Sequence, residues 1–262
     1  IGIEPSSIYW KALEWYLKLH ESKPTVVGVN PYHTKQAKEL DDNTQEKSDP
    51  KDAQTIAHLV RDGRYFDIYM PQDEYSELRV LTAERKRLQK EISRVNNIIV
   101  AIMDEYFPEY GKVFGNMTCK TSRQLLLKCP FPSDVLSMNQ EELVKLVKTA
   151  SNGAQGGKST ESLIEAAKNS VGVGYGKTGI RIRLKNLIDG FALYEQQKAD
   201  VEAQMTEVMQ SLELSGVLQS MDGIGPVISA TFIGEIGDVN RFDHWKQVRK
   251  LAGCNLVEQS SG

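Results

Sequence analysis

The sequence is poor in cysteine and has no long apolar run. Its three cysteines, Cys119, Cys129 and Cys254, are widely spaced and form no Cys-x-x-Cys pair. This spacing argues against a zinc site or a disulfide framework, so we interpret the cysteines as reduced, buried thiols of a cytoplasmic protein. No stretch approaches the roughly 18 apolar residues that a membrane span needs, so no membrane partner is expected.

An excess of positive charge is also lacking. Lysine and arginine together number 32 against 35 aspartates and glutamates, for a net charge of -3. That balance argues against a protein that binds nucleic acid passively through overall charge, although it leaves room for local basic surfaces. The hydrophobic share of 40% is enough for a substantial core.

Residues 1–70 alternate strand and helix signals, a pattern typical of an α/β domain with parallel strands joined by crossovers. Short apolar runs predict the strands, while Pro, Asn-Pro and Asp-Pro signals predict the helix starts. The predicted elements are strands at 1–3 and 25–29, and helices from Pro5 to His20, after Asn30-Pro31, and from Asp49 to Arg61 before Gly63.

Two long segments, 72–107 and 180–212, carry apolar residues at steps of three and four. Such heptads are typical of coiled coils. Their similar length predicts an antiparallel coiled-coil hairpin over 71–215, with the irregular helical insertion 109–177 at its tip. Pairing between chains fits the pattern equally well. Within the insertion we expect helices at 120–128, 139–150 and 159–170.

The C-terminal region, 216–262, contains Gly223-Ile224-Gly225 between two helical patterns. This spacing is typical of a helix-hairpin-helix, in which the N–H groups of the following helix, here near Val227, contact a DNA phosphate. A plain turn between helices, capped by glycine, explains the same residues.

Three acids are candidates for a metal site. Asp49 and Asp52 lie three residues apart at a helix start, so both can face one way, and Mg²⁺ is usually held by one or two such carboxylates. Glu4 follows an apolar strand, where a side chain can reach the crevice at the sheet edge. Helix capping and the helix dipole account for the same acids in structural terms.

Serine and histidine give weaker signals. Ser260-Ser261-Gly262 is a common loop sequence, and the histidines His20, His33, His58 and His244 form no Ser-His-Asp arrangement. We interpret these four histidines as structural.

Taken in order, these motifs resemble the DEDD-type transposases of the IS110 family of insertion sequences. The N-terminal part resembles the family motifs Glu-x-Thr-Gly-x-Tyr-Trp, Val-Asn-Pro and Lys-x-Asp-x-x-Asp-Ala-x-x-Ile-Ala. The matching residues are Glu4–Trp10, with Ser6 and Ser7 in place of Thr-Gly, then Val29–Pro31, and Lys47–Ala53 with Ile56-Ala57. The family's C-terminal transposase domain is resembled by Gly223–Gly225, Glu235–Asp238, Arg241-Phe242, Ala252-Gly253 and Ser261-Gly262.

The resemblance implies a partial RNase H-like, resolvase-like domain at 1–70 that binds Mg²⁺ through four acids. Glu4, Asp49 and Asp52 match the second, third and fourth acids. The first would precede Ile1, so we expect the chain to be truncated at both ends and inactive alone. The resemblance also implies a serine nucleophile, best matched by Ser261 with Ser260 as the fallback, and a homo-oligomer, dimer or tetramer, working with a structured guide RNA.

The expected function is therefore cleavage and rejoining of the DNA strands of an insertion sequence. Two alternatives remain open at this point. One is a non-catalytic DNA-binding and dimerising protein, and the other is a metal-dependent junction nuclease that uses no serine.

Overall fold

A computed structural model describes residues 1–6, 8–19, 24–42 and 49–254, without the side chains of residues 40–42. The fold is mostly helical with one small sheet, as the sequence predicts for an α-rich protein. The chain divides into two compact units, Ile1–Met70 and Pro71–Gly262. Among the described residues, no helix is long and apolar enough to cross a membrane.

The first unit contains a three-stranded sheet in the order β1-β2-β3. Strand β1 (Gly2–Ile3) pairs in parallel with β2 (Val27–Gly28), in agreement with the expected crossover. Strand β3 (Phe66–Asp67) pairs antiparallel with β2 and was not predicted. It is only two residues long and both are exposed, so it is shorter than the runs from which a strand is predicted.

Three helices accompany this sheet: α1 (Tyr9–Leu19), α2 (Pro31–Asp42) and α3 (Asp49–Arg61). Helix α3 spans the predicted residues. Gly63 follows it with φ +74°, a left-handed conformation that glycine adopts without strain.

Helix α1 buries the apolar face that its sequence predicts only in part, since Trp10 and Leu17 are half-buried. Ile8 and Leu13 are exposed, whereas Glu14 is only 1% exposed. The Glu14 carboxylate tolerates this position because Lys18, one turn later, forms an ion pair with it at 2.5 Å.

The second unit is built on two helices of equal length, α4 (Asp73–Tyr106) and α10 (Lys177–Gln210). Arg85 Nε donates to Glu202 Oε1 at 2.7 Å, and one turn further along α4 Gln89 Oε1 accepts from Lys198 Nζ at 2.8 Å. Because the partner number falls as the α4 number rises, the two helices pack antiparallel.

Five shorter helices lie between α4 and α10 in the sequence. They pack with these two helices around one apolar core. They are α5 (Tyr110–Val113), α6 (Lys120–Lys128), α7 (Pro132–Ser137), α8 (Gln140–Ala150) and α9 (Gly157–Lys168). Helices α6, α8 and α9 match the three predicted helices within two residues. The short helices α5 and α7 were not predicted.

The three thiols are free, but they differ in burial from the expectation. Cys129 is buried, which, with the nearby Asp134 carboxylate, raises its pKa to about 11. Cys119 is half-buried. Cys254 is exposed because it follows a surface helix instead of packing in the core, so the prediction of a buried thiol is wrong there.

Beyond α10 come α11 (Leu214–Gln219), α12 (Pro226–Ile236), a single 3-10 turn (Val239–Arg241) and α13 (Trp245–Leu251). Helix α12 packs directly on α4. Arg79 of α4 donates to the carbonyl oxygens of Gly234 and Glu235 at 3.2 and 2.9 Å, and so satisfies two orphan acceptors at the end of α12.

Gly234 permits this close packing, and its replacement by alanine is expected to weaken it. An added Cβ would lie 2.6 Å from both the Leu78 carbonyl oxygen and Thr82 Oγ1, so the two helices must separate. We expect Gly234→Ala to lower the free energy of unfolding by about 1–2 kcal/mol, a cost typical of overpacking. Urea denaturation followed by circular dichroism measures this change.

Gly190→Ala is the matched control, because it is also in a long helix but an added Cβ there meets nothing within 4 Å. Gly190→Ala is expected to raise the free energy of unfolding by up to about 1 kcal/mol, because alanine has a higher helix propensity than glycine. Equal stability changes for the two variants would show that Gly234 has no special packing role.

Candidate functional site

Glu4 lies directly after β1, at the carboxyl end of the strand. Ile3 before it is buried, whereas Glu4 itself is half-buried. The Glu4 carbonyl accepts from the Ser6 backbone N–H at 2.8 Å, so the chain turns sharply here towards α1. This is the strand-end position that the sequence predicts for it.

Asp49 and Asp52 occupy the first turn of α3. Asp49 is exposed, and the Asp52 side chain is 40% exposed. A helix start carries a partial positive charge that favours both carboxylates. The spacing therefore gives one acidic turn, with two carboxylates available to a cation.

Asp52 already has a cation close to it. Lys38 of α2 forms an ion pair with Asp52 Oδ1. That oxygen is shielded from solvent and has no well-oriented hydrogen bond, so the Lys38 ammonium compensates its charge. Sequence reasoning missed Lys38, because a lysine fourteen residues before the acid follows no motif spacing.

The three acids do not form a closed metal cage. Within residues 1–6, 8–19, 24–42 and 49–254, no three His, Cys, Asp or Glu side chains lie close enough together to hold a metal ion. The convergence of Glu4 with Asp49 and Asp52 therefore remains a prediction. The oxygen donors fit Mg²⁺, which can be held by one or two carboxylates and substrate phosphates.

The predicted helix-hairpin-helix motif at Gly223-Ile224-Gly225 lies in the turn between α11 and α12. Gly223 has φ +84°, which accounts for the glycine. Gly225 precedes α12, and the first intrahelical bond runs from Ser229 N–H to the Gly225 carbonyl at 3.0 Å. Val227 is thus in the first turn, where backbone N–H groups lack helical acceptors.

The turn at Gly223 is exposed, and α11 before it is only six residues long. A phosphate could reach the free N–H groups of α12, and a plain glycine-capped turn has the same geometry. The predicted DNA contacts of the helix-hairpin-helix motif remain a prediction; they are Gly223, Ile224, Gly225 and Val227.

Ser261 and its alternative Ser260 lie outside the described residues, as do Lys47 and Ser48 before the acidic turn.

Two family models match this chain at its two ends. A model described as a transposase, of the DEDD type named for IS110, matches residues 1–108. A second, for the transposase IS116/IS110/IS902 family, matches residues 215–262. The first range includes Glu4, Asp49 and Asp52, and the second includes Gly223–Gly225 and Ser261.

Three curated proteins are similar to this chain. An uncharacterised 43.6 kDa protein of insertion element IS110 from Streptomyces coelicolor is 26% identical over 220 residues, which cover 82% of this chain and 54% of the relative. The protein of the IS117 mini-circle named as its transposase, from the same organism, is 24% identical over 90% of this chain and 59% of the relative. An uncharacterised 44.8 kDa protein of insertion element IS116 from Streptomyces clavuligerus is 23% identical over 82% and 54%. The chain thus spans between half and two thirds of the length of these relatives.

Proposed function

We propose, because this chain belongs to the IS110 family of insertion-sequence transposases, that the natural protein cleaves and rejoins the DNA strands of an insertion sequence. The observation that carries the proposal is the order of the two matches. The acids lie in the first matched range and the serine in the second, so the two matches together contain both parts of the proposed site.

Glu4, Asp49 and Asp52 are proposed to hold Mg²⁺ in an RNase H-like domain over residues 1–70. When bound, the ion would neutralise charge on a scissile phosphate. The support from the fold is local: Glu4 at a strand end, and two carboxylates on one helical turn. Lys38 is proposed to hold the Asp52 carboxylate in place through its ion pair with Oδ1.

Ser261 is proposed as the nucleophile, with Ser260 as the fallback. Its hydroxyl oxygen forms a bond to phosphorus, the bond from phosphorus to one strand oxygen breaks, and the released strand takes up a proton as a free hydroxyl. The hydroxyl proton of the serine passes to a base or to water. Attack by a new strand hydroxyl reverses these changes, so rejoining needs no external energy source.

The long helices α4 and α10 are proposed to act as a coiled-coil hairpin that assembles a dimer or tetramer. Their antiparallel packing supports the hairpin. The turn at Gly223 is proposed to contact DNA phosphates. A structured guide RNA as partner rests on the family resemblance alone.

One observation favours a second candidate, a non-catalytic DNA-binding and assembly protein. Among the described residues no three-acid group is formed, and Asp52 is paired with Lys38. A purely structural role for the acids would give the same arrangement. The third candidate, a metal-dependent nuclease without a serine step, differs from the proposal only at Ser261.

Replacement of Ser261 by alanine in the natural full-length protein tests the proposal. With Mg²⁺ and DNA carrying the insertion-sequence ends, the unsubstituted protein is expected to form a covalent protein–DNA adduct that denaturing electrophoresis detects. The Ser261→Ala variant is expected to form none, because it lacks the attacking oxygen. Ser260→Ala is the matched control and should retain the adduct.

The outcomes separate the three candidates. An adduct that persists in Ser261→Ala and disappears in Ser260→Ala moves the role to the neighbouring serine. Metal-dependent cleavage without any adduct identifies a nuclease, and DNA binding without cleavage identifies the assembly protein.

A further inference from the structure

A polar cleft of about 590 Å³ lies between α2 and α3, within the first unit. Its lining is dominated by cationic, imidazole and amide groups. These are His33 and Gln36 from α2, His58 and Arg61 from α3, and Arg64 just beyond the Gly63 turn. Neither the proposed metal site nor the helix-hairpin-helix motif at Gly223 uses any of these residues.

The two helices bring these groups together because they run antiparallel. Lys38 pairs with Asp52 at one level, while His33 and His58 share the cleft at another, so numbers rise on α2 as they fall on α3. His33, Gln36 and Ala37 follow the spacing of one helical face, as do Thr55, His58 and Asp62.

The charge of the cleft is positive and incompletely compensated. Asp62, the one carboxylate among the described lining residues, accepts from Arg61 Nε at 3.2 Å. Neither the His58 imidazole nor the Arg64 guanidinium has a hydrogen-bond or ion-pair partner among the residues that the structure describes. A guanidinium left without an acceptor presents a fork of N–H donors that matches a phosphate or a carboxylate.

The helix ends reinforce this preference. The start of α2, which contains His33, lies at the cleft and carries a partial positive charge. The end of α3 is partially negative, but His58 and Arg61 cover it. Among the described lining residues, the apolar side chains are those of Ala37 and Leu59, which is too little surface for an apolar ligand.

We propose that this cleft binds a phosphodiester group of a nucleic-acid strand, with Arg64, His58 and Arg61 as the direct contacts. The inference rests on the proposed function, because it assumes that nucleic acid is the partner. Six residues of α3 separate Asp52 from His58, which is about 9 Å of helix rise. That rise is about two to three phosphates along one strand of a duplex. A strand held here would therefore pass near the acidic turn, and the cleft would position it.

The test is nucleic-acid binding in EDTA, where no metal-dependent cleavage interferes. The probes are a short duplex DNA and an RNA hairpin, titrated separately into the purified protein at several salt concentrations and followed by fluorescence anisotropy. Arg64→Gln is expected to bind about tenfold more weakly, the effect of losing one charge-assisted hydrogen bond. The slope of log affinity against log salt should shrink by about one for duplex DNA. Arg64→Lys should recover part of the affinity, since it restores the charge without the fork.

Lys35→Gln is the matched control, because it removes one positive charge from an exposed position of α2 that does not line the cleft. The proposal predicts that the control leaves the salt slope unchanged. Weakening for duplex DNA alone assigns the phosphate to DNA, and weakening for the hairpin alone assigns it to RNA. Equal binding by Arg64→Gln, Lys35→Gln and the unsubstituted protein would overturn the inference.

Failure of this inference is distinguishable from failure of the proposed function. An unchanged affinity in Arg64→Gln, together with serine-dependent adduct formation, removes the cleft and leaves the transposase proposal intact. A clear loss of affinity in Arg64→Gln, in a protein that forms no adduct, supports the cleft and removes the serine-dependent step. Absence of binding to either probe by the unsubstituted protein would overturn the cleft proposal as well as the nucleic-acid partner.

Discussion

Asp52→Asn is expected to slow the metal-dependent DNA cleavage of the natural full-length protein by about 10³-fold. The change keeps the size of the side chain but removes its negative charge, so Mg²⁺ loses a donor and Lys38 loses its ion-pair partner. Stabilisation of the scissile phosphate by a metal contributes several kcal/mol, and about 4 kcal/mol corresponds to three factors of ten in rate. Initial rates of cleavage over a range of Mg²⁺ concentrations measure the effect.

The same substitution should hardly affect folding. The Asp52 side chain is 40% exposed and that of Lys38 is 18% exposed, so solvent screens much of their attraction. A partly exposed pair of this kind contributes about 1 kcal/mol at most. A near-normal thermal transition beside a strong loss of cleavage would therefore place the effect at the metal and not in the fold.

Asp67→Asn supplies the matched control, because it makes the same chemical change at an exposed residue of β3 in the same unit. We expect it to cleave at a rate close to that of the unsubstituted protein. If Asp52→Asn also cleaved at a normal rate at every Mg²⁺ concentration, Asp52 could not be a metal ligand. The acidic turn of α3 would then have only the capping and dipole role that its sequence equally allows.

The parts of the fold that follow from local signals could be predicted well. Helix α3 begins at Asp49-Pro50 and ends before Gly63, as the sequence predicts, because start and stop signals lie within the segment itself. Helix α6 likewise spans the predicted residues. Each of these boundaries is set by backbone preferences of a few neighbouring residues.

The parts that depend on distant contacts could not be predicted. The burial of Glu14 on α1, between the half-buried Trp10 and Leu17, depends on what packs against the helix, which the sequence does not record. The pairing of Lys38 with Asp52 joins two helices, so no motif records it. The acids are proposed from a family motif in the sequence, whereas the cleft with His58 and Arg64 arises from helix packing and follows no motif.

Gly172→Ala is expected to be the most damaging single-methyl substitution in the second unit. Gly172 lies in the connection between α9 and α10, against the end of α4. An added Cβ would lie 2.1 Å from the Tyr106 carbonyl oxygen and 2.5 Å from its carbon. Both atoms belong to the backbone, so no side-chain rotation relieves the overlap. The neighbouring Val173 N–H donates to the Glu105 carbonyl at 3.0 Å, and separation of the segments breaks this bond.

We expect Gly172→Ala to lower the free energy of unfolding by about 3 kcal/mol, at the upper end of overpacking costs and above the effect at Gly234. Urea denaturation should show a midpoint lower by about 1 M or more. Hydrogen exchange should quicken at Phe107 and Tyr110, which are buried beneath this contact.

Gly174→Ala, two residues on, is the matched control, since its Cβ meets nothing within 4 Å. A similar loss in both variants would mean that chain flexibility in this connection, and not the approach to Tyr106, determines the cost. Normal stability in Gly172→Ala would mean that the connection can leave the end of α4 without disturbing the core around Tyr110.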